Sequence, residues 1–175
     1  MLGLALGVLG ALVLAVVALA ATFVIGMRRK SALVQRGVIW LGIHGFNKLV
    51  LKSAGRPGAA TAIIRHRGRV SGKTFETPIG AVATDDGFLI SLPYGLRSNW
   101  LRNVLANGAA ELVHEGQTWA VDRPELIALG PVETAFSATD QRMHRIFAVA
   151  EVLRLHRAAT GAVKEISVTD MTTAA

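Results

Sequence analysis

The sequence predicts a mainly β protein of α+β type: about six antiparallel strands with short helices form a small barrel, preceded by one N-terminal transmembrane helix. Three observations predict it. No charged residue occurs from Leu2 to Ile25. Beyond residue 59, short β-branched or apolar segments alternate with turn-forming glycines and aspartates. At 175 residues the chain has room for one ordinary core, and closing its sheet into a barrel removes exposed edges.

Residues 1–27 are predicted to be a transmembrane anchor. A helix of this length exceeds the roughly 30 Å of a bilayer's hydrocarbon core. Ala18-Leu19-Ala20 resembles a signal-peptide cleavage site, but the bases Arg28-Arg29-Lys30 follow the apolar run instead of preceding it. We therefore expect an uncleaved, single-pass cell-membrane anchor. Because basic flanks stay on the cytoplasmic side, the following domain is expected in the cytoplasm.

Residues 28–58 are predicted to hold an amphipathic helix and a linker. The apolar stretch from Leu33 to Leu51 has helical length, and Trp40 is typical of the membrane interface. The same stretch would also suit a core helix that packs on the barrel, so both interpretations stay open. Gly55-Arg56-Pro57-Gly58 ends it, because proline and glycine do not continue a helix.

Residues 59–160 are predicted to form the barrel domain, followed by a flexible tail at 161–175. Strand composition identifies six segments: 61–66, 75–84, 88–92, 110–114, 118–121 and 125–129. A short helix is expected from Ser98, as N-cap, to the stop at Gly108. Apolar residues at helical spacing predict a closing helix from Thr139 to Ala158.

Asp85-Asp86-Gly87 predicts a hairpin between the second and third strands. We expect Gly87 to be required in this hairpin because glycine readily adopts the positive φ of tight two-residue turns. A second hairpin is predicted around Glu115-Gly116-Gln117.

The distribution of charge and the absence of cysteine narrow the possible functions. The net charge is +7, yet residues 1–75 contain eleven Lys or Arg and no acid. A basic half can attract nucleic acid, anionic lipid or an anionic small ligand. The neighbouring apolar helix favours lipid as the partner of the first basic cluster. For the cluster from Arg65 to Lys73, a small anionic ligand is the favoured partner. No nucleic-acid partner is expected. Without cysteine, thiolate chemistry and iron–sulfur sites are excluded.

Few motifs suggest chemistry. The five histidines lack metal-ligand spacing, so we interpret them as structural and expect no metal site. The turn Arg67-Gly68-Arg69-Val70-Ser71-Gly72-Lys73 combines bases, a hydroxyl and flexible glycines, which suits an anion site. A solvated basic hairpin beside an anionic membrane would have the same composition. Trp100 and Asn103 share a helix face, where a core tryptophan and a capping amide are the ordinary interpretation.

The order of these pieces resembles the deazaflavin-dependent nitroreductase family, a branch of the split β-barrel flavoproteins related to pyridoxamine phosphate oxidases. The motifs that carry the resemblance are Gly68-Arg69-Val70-Ser71-Gly72, Thr77-Pro78, Asp86-Gly87, Tyr94-Gly95 and Trp100-Leu101-Arg102-Asn103. Together they extend over about residues 44–125. The ordered combination is far more specific than any single motif.

The resemblance implies a split barrel that binds coenzyme F-420, an 8-hydroxy-5-deazaflavin. It places Arg69, Ser71, Gly72 and Lys73 at the anionic tail of the coenzyme. It places the deazaflavin against Thr77 and Pro78, and the pocket is closed by Tyr94, Gly95, Trp100 and Asn103. Tyr94 and Ser98 are the candidate catalytic residues, which would stabilise a developing oxyanion. The sequence departs from nitro-drug-activating members at Phe75 and Tyr94, where those proteins commonly have basic residues.

The implied function is hydride transfer from the reduced coenzyme to a lipophilic small molecule such as a quinone or nitroaromatic. On the closing helix, Met143, Phe147 and Leu153 could line an apolar pocket mouth, although core packing would explain them equally well. The alternatives are a barrel that uses FMN, and a non-enzymatic module that binds flavin, haem or lipid at the membrane. The Gly3–Gly7 spacing also permits helix pairing, so a homodimer is a further expectation.

Overall fold

The computed structural model describes residues 1–41 and 47–159. The middle of the predicted helix from Leu33 to Leu51, including Phe46, and the predicted tail at 161–175 lie outside these residues. The five helices of the described chain are α1 (Leu2–Arg28), α2 (Ala32–Leu41), α3 (Asn47–Leu51), α4 (Asn99–Asn107) and α5 (Ala138–Phe147). The strands are β1 (Ala62–Arg67), β2 (Thr74–Ile79), β3 (Ala81–Ala83), β4 (Gly87–Ser91), β5 (Ala109–His114), β6 (Gln117–Ala128) and β7 (Glu151–Arg157).

The strands form one antiparallel sheet in the order β2-β1-β5-β6-β7-β4-β3. The two outermost strands are consecutive in the chain and are separated only by Gly80. The extended segment 74–83 therefore pairs with β1 at one end and with β4 at the other. The sheet curls until its two edges meet on this segment, which gives the split β-barrel that was expected.

The predicted closing helix from Thr139 to Ala158 is wrong in its second half. Helix α5 ends at Phe147 because Ala148 adopts a left-handed conformation with φ of 48°. The chain then enters β7, which pairs with both β4 and β6. Leu153 and Leu155 are completely buried there. Pairing on both sides and burial of alternate leucines outweigh the helical spacing that the sequence displays.

Two details of the predicted strands also change. Segments 118–121 and 125–129 are not separate strands: Thr118–Val121 and Glu125–Ala128 are parts of β6, joined across a bulge at which Arg123 has φ of 47°. The hairpin before β4 is present, but Gly87 is not among the positive-φ glycines. Gly87 is required for another reason, because a Cβ there would overlap the carbonyl oxygen of Leu155 on β7.

Apolar residues on the sheet form two buried clusters. The larger one joins β1, β4, β5 and β7 to α4 through residues such as Ile64, Phe88 and Leu101. The smaller one, with Leu89 and Phe136, lies on the other face of β4. Successive residues of a strand point to opposite faces, so β4 contributes to both clusters.

Helix α1 projects from the domain but its last turns pack on it. Among the described residues, this is the one helix long and apolar enough to cross a membrane: within Leu6–Arg28, an 18-residue window has mean hydropathy 2.9, and none of that window is buried. Close to the domain the situation reverses: Met27 is fully buried and Gly26 contacts Val34 of α2 so closely that a Cβ would overlap it. The C-terminal end of α1 is therefore part of the folded domain.

Candidate functional site

A cavity of about 1280 Å³ lies along the segment at which the barrel closes. Every residue from Phe75 to Val82 lines it, together with parts of the basic turn, of the loop 91–95, of α4 and of α5. Ligand pockets typically have volumes of roughly 300–1,000 Å³. The cavity is thus large enough to hold a cofactor ring and a second small molecule together.

Nine of the eleven site residues expected from the sequence line this cavity: Arg69, Ser71, Thr77, Pro78, Tyr94, Gly95, Ser98, Trp100 and Asn103. The other two, Gly72 and Lys73, are in the basic turn but do not contribute to the cavity wall. The fold therefore brings residues from four separate motifs to one place.

The basic turn is held by its glycines. The Gly68 and Gly72 amides donate at 2.8 Å to the Lys73 and Gly68 carbonyls respectively. Gly72 adopts φ of 67°, a left-handed conformation that favours glycine. A Cβ on Gly68 would lie 2.6 Å from the Ser71 hydroxyl and 2.8 Å from the Phe75 ring. The glycines of the motif thus keep the turn compact and bring Ser71 beside the strand that lines the cavity.

Asn103 connects helix α4 to the turn and to the barrel. Its Oδ1 accepts a bond from the Arg69 guanidinium at 2.8 Å and one from the Arg69 backbone amide at 3.2 Å. Because two donors face this atom, the orientation of the amide is fixed, and Nδ2 donates to Nδ1 of His66 at 3.2 Å. The asparagine is therefore a structural centre of the site, and not only a helix-capping amide.

His66 completes this network from inside the barrel. It shares the inward face of β1 with Ala62 and Ile64, is 4% exposed, and stacks on Phe75 with ring centroids 5.9 Å apart. Since its Nδ1 accepts from Asn103, the proton is on Nε2, which faces Thr77 Oγ1 at 3.3 Å. Burial lowers the pKa of His66, which favours this neutral form. A positioning role for this histidine was missed; its alternation with Ala62 and Ile64 was the available signal.

The two candidate catalytic residues occupy the loop beside the cavity. Burial raises the pKa of the Tyr94 phenol, so the hydroxyl remains protonated at neutral pH and can donate a hydrogen bond. Ser98 is at the N-cap position of α4, as predicted, but its side chain makes no capping hydrogen bond. Its buried hydroxyl lines the cavity.

A second histidine was also missed. His144 on α5 and Ser91 at the end of β4 both line the cavity, and His144 Nε2 is 2.7 Å from Ser91 Oγ. Asp140 precedes His144 by one helical turn, and this i, i+4 spacing could have singled the histidine out. Of the apolar residues proposed for the pocket mouth, Met143 lines the cavity, whereas Phe147 and Leu153 do not. No cluster of three or more metal-ligating side chains occurs in residues 1–41 and 47–159.

The polar groups lie at two ends of an elongated space. Thr74 follows the basic turn, and Gly80 is next to the Ala81–Ile90 pair and hence opposite Ser91. Six extended residues at about 3.3 Å each separate these points by roughly 20 Å. The cavity can therefore hold a long ligand with its anionic end at Arg69 and a ring against Thr77 and Pro78.

Fold and cavity together define a split-barrel cofactor-binding protein. Residues 47–129, which are 83 of the 175, match the family model described as "F420H(2)-dependent quinone reductase". The matched stretch contains the basic turn, the segment 75–82 and α4. This match confirms the resemblance to deazaflavin-dependent reductases that the motifs predicted. It indicates an oxidoreductase and, by the family's description, dependence on coenzyme F-420.

Several solved structures share the architecture at low identity. An F420-H2 dependent reductase, FDR-A, is 13% identical, with a TM-score of 0.45 over 55% of this chain and 94% of its own. HutZ, the haem storage protein of Vibrio cholerae, is 9% identical, with a TM-score of 0.42 over 65% and 88%. A pyridoxinephosphate oxidase family protein from Clostridium acetobutylicum is 11% identical, with a TM-score of 0.43 over 63% and 80%. The search of curated proteins found no match to the sequence.

Proposed function

We propose that the protein is a membrane-anchored oxidoreductase that transfers a hydride from reduced coenzyme F-420 to a lipophilic acceptor, a quinone or a similar ring compound. The observation that carries the proposal is the cavity. It joins the basic turn, the Thr77-Pro78 strand and the Trp-x-x-Asn helix along one elongated space. When bound, the coenzyme supplies the hydride. The residues of the chain bind and orient the coenzyme and exclude water from the site.

The charge at one end of the cavity suits an anionic tail. Arg69 lines the wall, and its guanidinium is oriented by Asn103 at 2.8 Å, so little side-chain freedom remains to be lost on binding. Ser71 adds a hydroxyl, and Lys73 adds charge nearby. The wall beyond the turn, with Pro78, Ile79 and Trp100, is apolar and would contact a flat ring.

The junction between α1 and the domain supports an acceptor that comes from the membrane. The Arg28 guanidinium donates to the Arg145 and Ile146 carbonyls at 2.7 and 3.3 Å. The Lys30 ammonium donates to the Phe147 carbonyl at 3.1 Å. These are the last carbonyls of α5, where cations are favourable.

Lys30 also donates to the Pro93 carbonyl, at 3.3 Å. The end of α1 is thus bonded both to α5 and to the loop that carries Tyr94, and both of these line the cavity. With α1 in a bilayer, the cavity would be held at a fixed place close to the membrane surface. An acceptor dissolved in the lipid would then have a short path to the site.

Coenzyme binding is the first test. The purified full-length protein would be titrated with coenzyme F-420 and, separately, with FMN. Arg69→Ala should weaken F-420 binding by roughly ten- to a hundredfold, since one charge-assisted hydrogen bond contributes about 1.5 to 3 kcal/mol. Arg102→Ala is the matched control: it removes the same charge from an exposed position of α4 that does not line the cavity. Preference for FMN, or equal affinity of both variants, would contradict the proposal.

The acceptor is tested with protein in vesicles. We expect faster reduction of a long-tailed menaquinone in the vesicle than of a short soluble analogue. Lys30→Met should slow the vesicle reaction by roughly tenfold at most, because two hydrogen bonds of a charged donor are lost. Arg29→Met, an exposed neighbour of equal charge, is the control. Equal rates with both quinones would mean that the anchor does not serve delivery of the acceptor.

The cytoplasmic orientation of the domain and a homodimer belong to the same proposal. A reporter fused after Ala175 should be active on the cytoplasmic side only, and an intact N-terminus should be found in the purified protein. Activity of the reporter on the outer side, or a mature N-terminus at Ala21, would contradict the anchor. Cross-linking through α1 in vesicles would test the homodimer.

A further inference from the structure

The end of the cavity opposite the basic turn contains a buried histidine for which hydride transfer alone provides no role. His144 is 3% exposed, and its ring packs edge-on against Phe136 with centroids 4.8 Å apart. Its Nε2 is paired with Ser91, but its Nδ1 is buried and has no hydrogen-bond partner among residues 1–41 and 47–159. Leaving a buried polar atom unpaired destabilises the folded state, and such atoms call for an explanation.

His144 borders two spaces. On one side is the large cavity, which it lines with Ser91. The same residue also lines a smaller hollow of about 310 Å³, whose wall includes Glu133 and Arg145. Ser91 contributes to the large cavity only. The order from hollow to cavity is therefore His144 and then Ser91.

We propose that His144 and Ser91 form a proton relay that protonates the reduced acceptor in the cavity. This inference rests on the proposed function, since it needs an acceptor that receives a hydride. A carbonyl acceptor gains two electrons and one hydrogen with the hydride, and its oxygen must then gain a proton. Ser91 is at the right place to supply it, because the anionic tail is held roughly 20 Å away along the strand.

The relay balances in protons. As the hydride arrives, the Ser91 hydroxyl gives its proton to the acceptor oxygen, and His144 Nε2 gives its proton to Ser91 Oγ. The doubly protonated imidazole thereby becomes neutral with its remaining proton on Nδ1, and Nε2 takes up a new proton from water that enters the cavity when the product leaves. No electron passes through either side chain. The two electrons move only with the hydride of the co-reactant.

The surroundings of His144 favour easy release of this proton. Burial lowers the pKa of the imidazole, and the carboxylates of Asp140 and Glu133 partly oppose that shift. A lowered pKa makes the imidazolium a stronger acid. The relay should therefore be fully active below the pKa of His144 and lose rate as the pH rises through it.

The test uses the full-length protein in vesicles, with reduced coenzyme F-420 and menaquinone. His144→Gln keeps a donor for Ser91 but does not titrate, and Ser91→Ala removes the final donor. Both should lower kcat by roughly a hundredfold, typical of lost acid–base catalysis, with little change in coenzyme affinity. In His144→Gln the decline of rate with rising pH should disappear, and the solvent deuterium effect should change. His114→Gln, at a position outside both cavities, should behave as the wild type.

A second readout does not need turnover. In the coenzyme-free protein, the ¹⁵N-labelled ring of His144 should titrate below the ordinary histidine range, and Ser91→Ala should shift that titration. Wild-type kcat, pH profile and solvent isotope effect in His144→Gln would overturn the relay while the proposed function stood. Coenzyme binding without turnover by the wild-type protein would overturn both.

Discussion

The substitution Asn103→Asp should invert the pH dependence of stability that His66 contributes. The aspartate keeps the acceptor for Arg69, whose guanidinium is 2.8 Å from the present Oδ1. It replaces the Nδ2 donor, 3.2 Å from His66 Nδ1, with an oxygen. The neutral ring can bond to the carboxylate only with its proton on Nδ1, and the negative charge of the carboxylate also favours the doubly protonated ring. The pKa of His66, now lowered by burial, should therefore rise in the variant.

The sign of the effect follows from proton linkage. In the wild type the folded-state pKa of His66 is below the unfolded value, so its contribution is complete above the unfolded pKa and is lost as pH falls. In Asn103→Asp the folded pKa is the higher one, so the contribution is complete at low pH and is lost as pH rises through it. In each protein, the contribution of His66 to the free energy of unfolding changes by at most about 1.4 kcal/mol per pH unit. Asn103→Ala should cost about 1–3 kcal/mol, because the buried His66 Nδ1 loses its donor.

The assay is denaturant unfolding of each protein between about pH 5 and about pH 8, the range in which histidines titrate. The free energy of unfolding of the variant minus that of the wild type is the informative quantity, because the contribution of His144 cancels. Asn99→Asp, at an exposed position at the start of α4, controls for the added charge. If the difference for Asn103→Asp does not fall as pH rises, the contact between Asn103 and His66 does not govern the protonation of this histidine.

Two further predictions concern stability. Gly87→Ala should destabilise the domain by several kcal/mol, since its Cβ would overlap the Leu155 carbonyl, whereas Gly130→Ala, with no atom within 4 Å, should have little effect. Ser137→Ala should cost about 1 kcal/mol in thermal unfolding because its hydroxyl caps α5, and Ser98→Ala should cost less because no such bond exists. Equal effects within either pair would contradict these assignments.

Local sequence patterns predicted most of the strands. The segments 61–66, 88–92 and 110–114 correspond to β1, β4 and β5 because β-branched and apolar residues alternate there between turn residues. The end of α4 at Gly108 also follows from a local preference, since this residue adopts φ of 70°. The resemblance to deazaflavin-dependent reductases was predicted from motifs within residues 44–125, and the match over 47–129 confirms it.

The residues that line the cavity were predicted less completely from the sequence. The motifs named nine residues that line it, but Ser91, His66 and His144 were not among them. Ser91 and His144 are 53 residues apart and meet only because α5 packs over the end of β4. No local pattern encodes such a contact. The roles of all these residues remain predictions that the proposed variants test.

By itself, the sequence determined those features that depend on neighbouring residues: the apolar N-terminal helix, the hairpins, the compact basic turn and the motifs of the family resemblance. Only the tertiary structure decided that residues 151–157 form a strand, since their helical spacing is outweighed by pairing with both β4 and β6. It also decided why Gly87 must be glycine, and that Arg28 and Lys30 bond to the end of α5. The physical reason is the same in each case: the free energy comes from contacts between segments far apart in the chain, which local propensity does not contain.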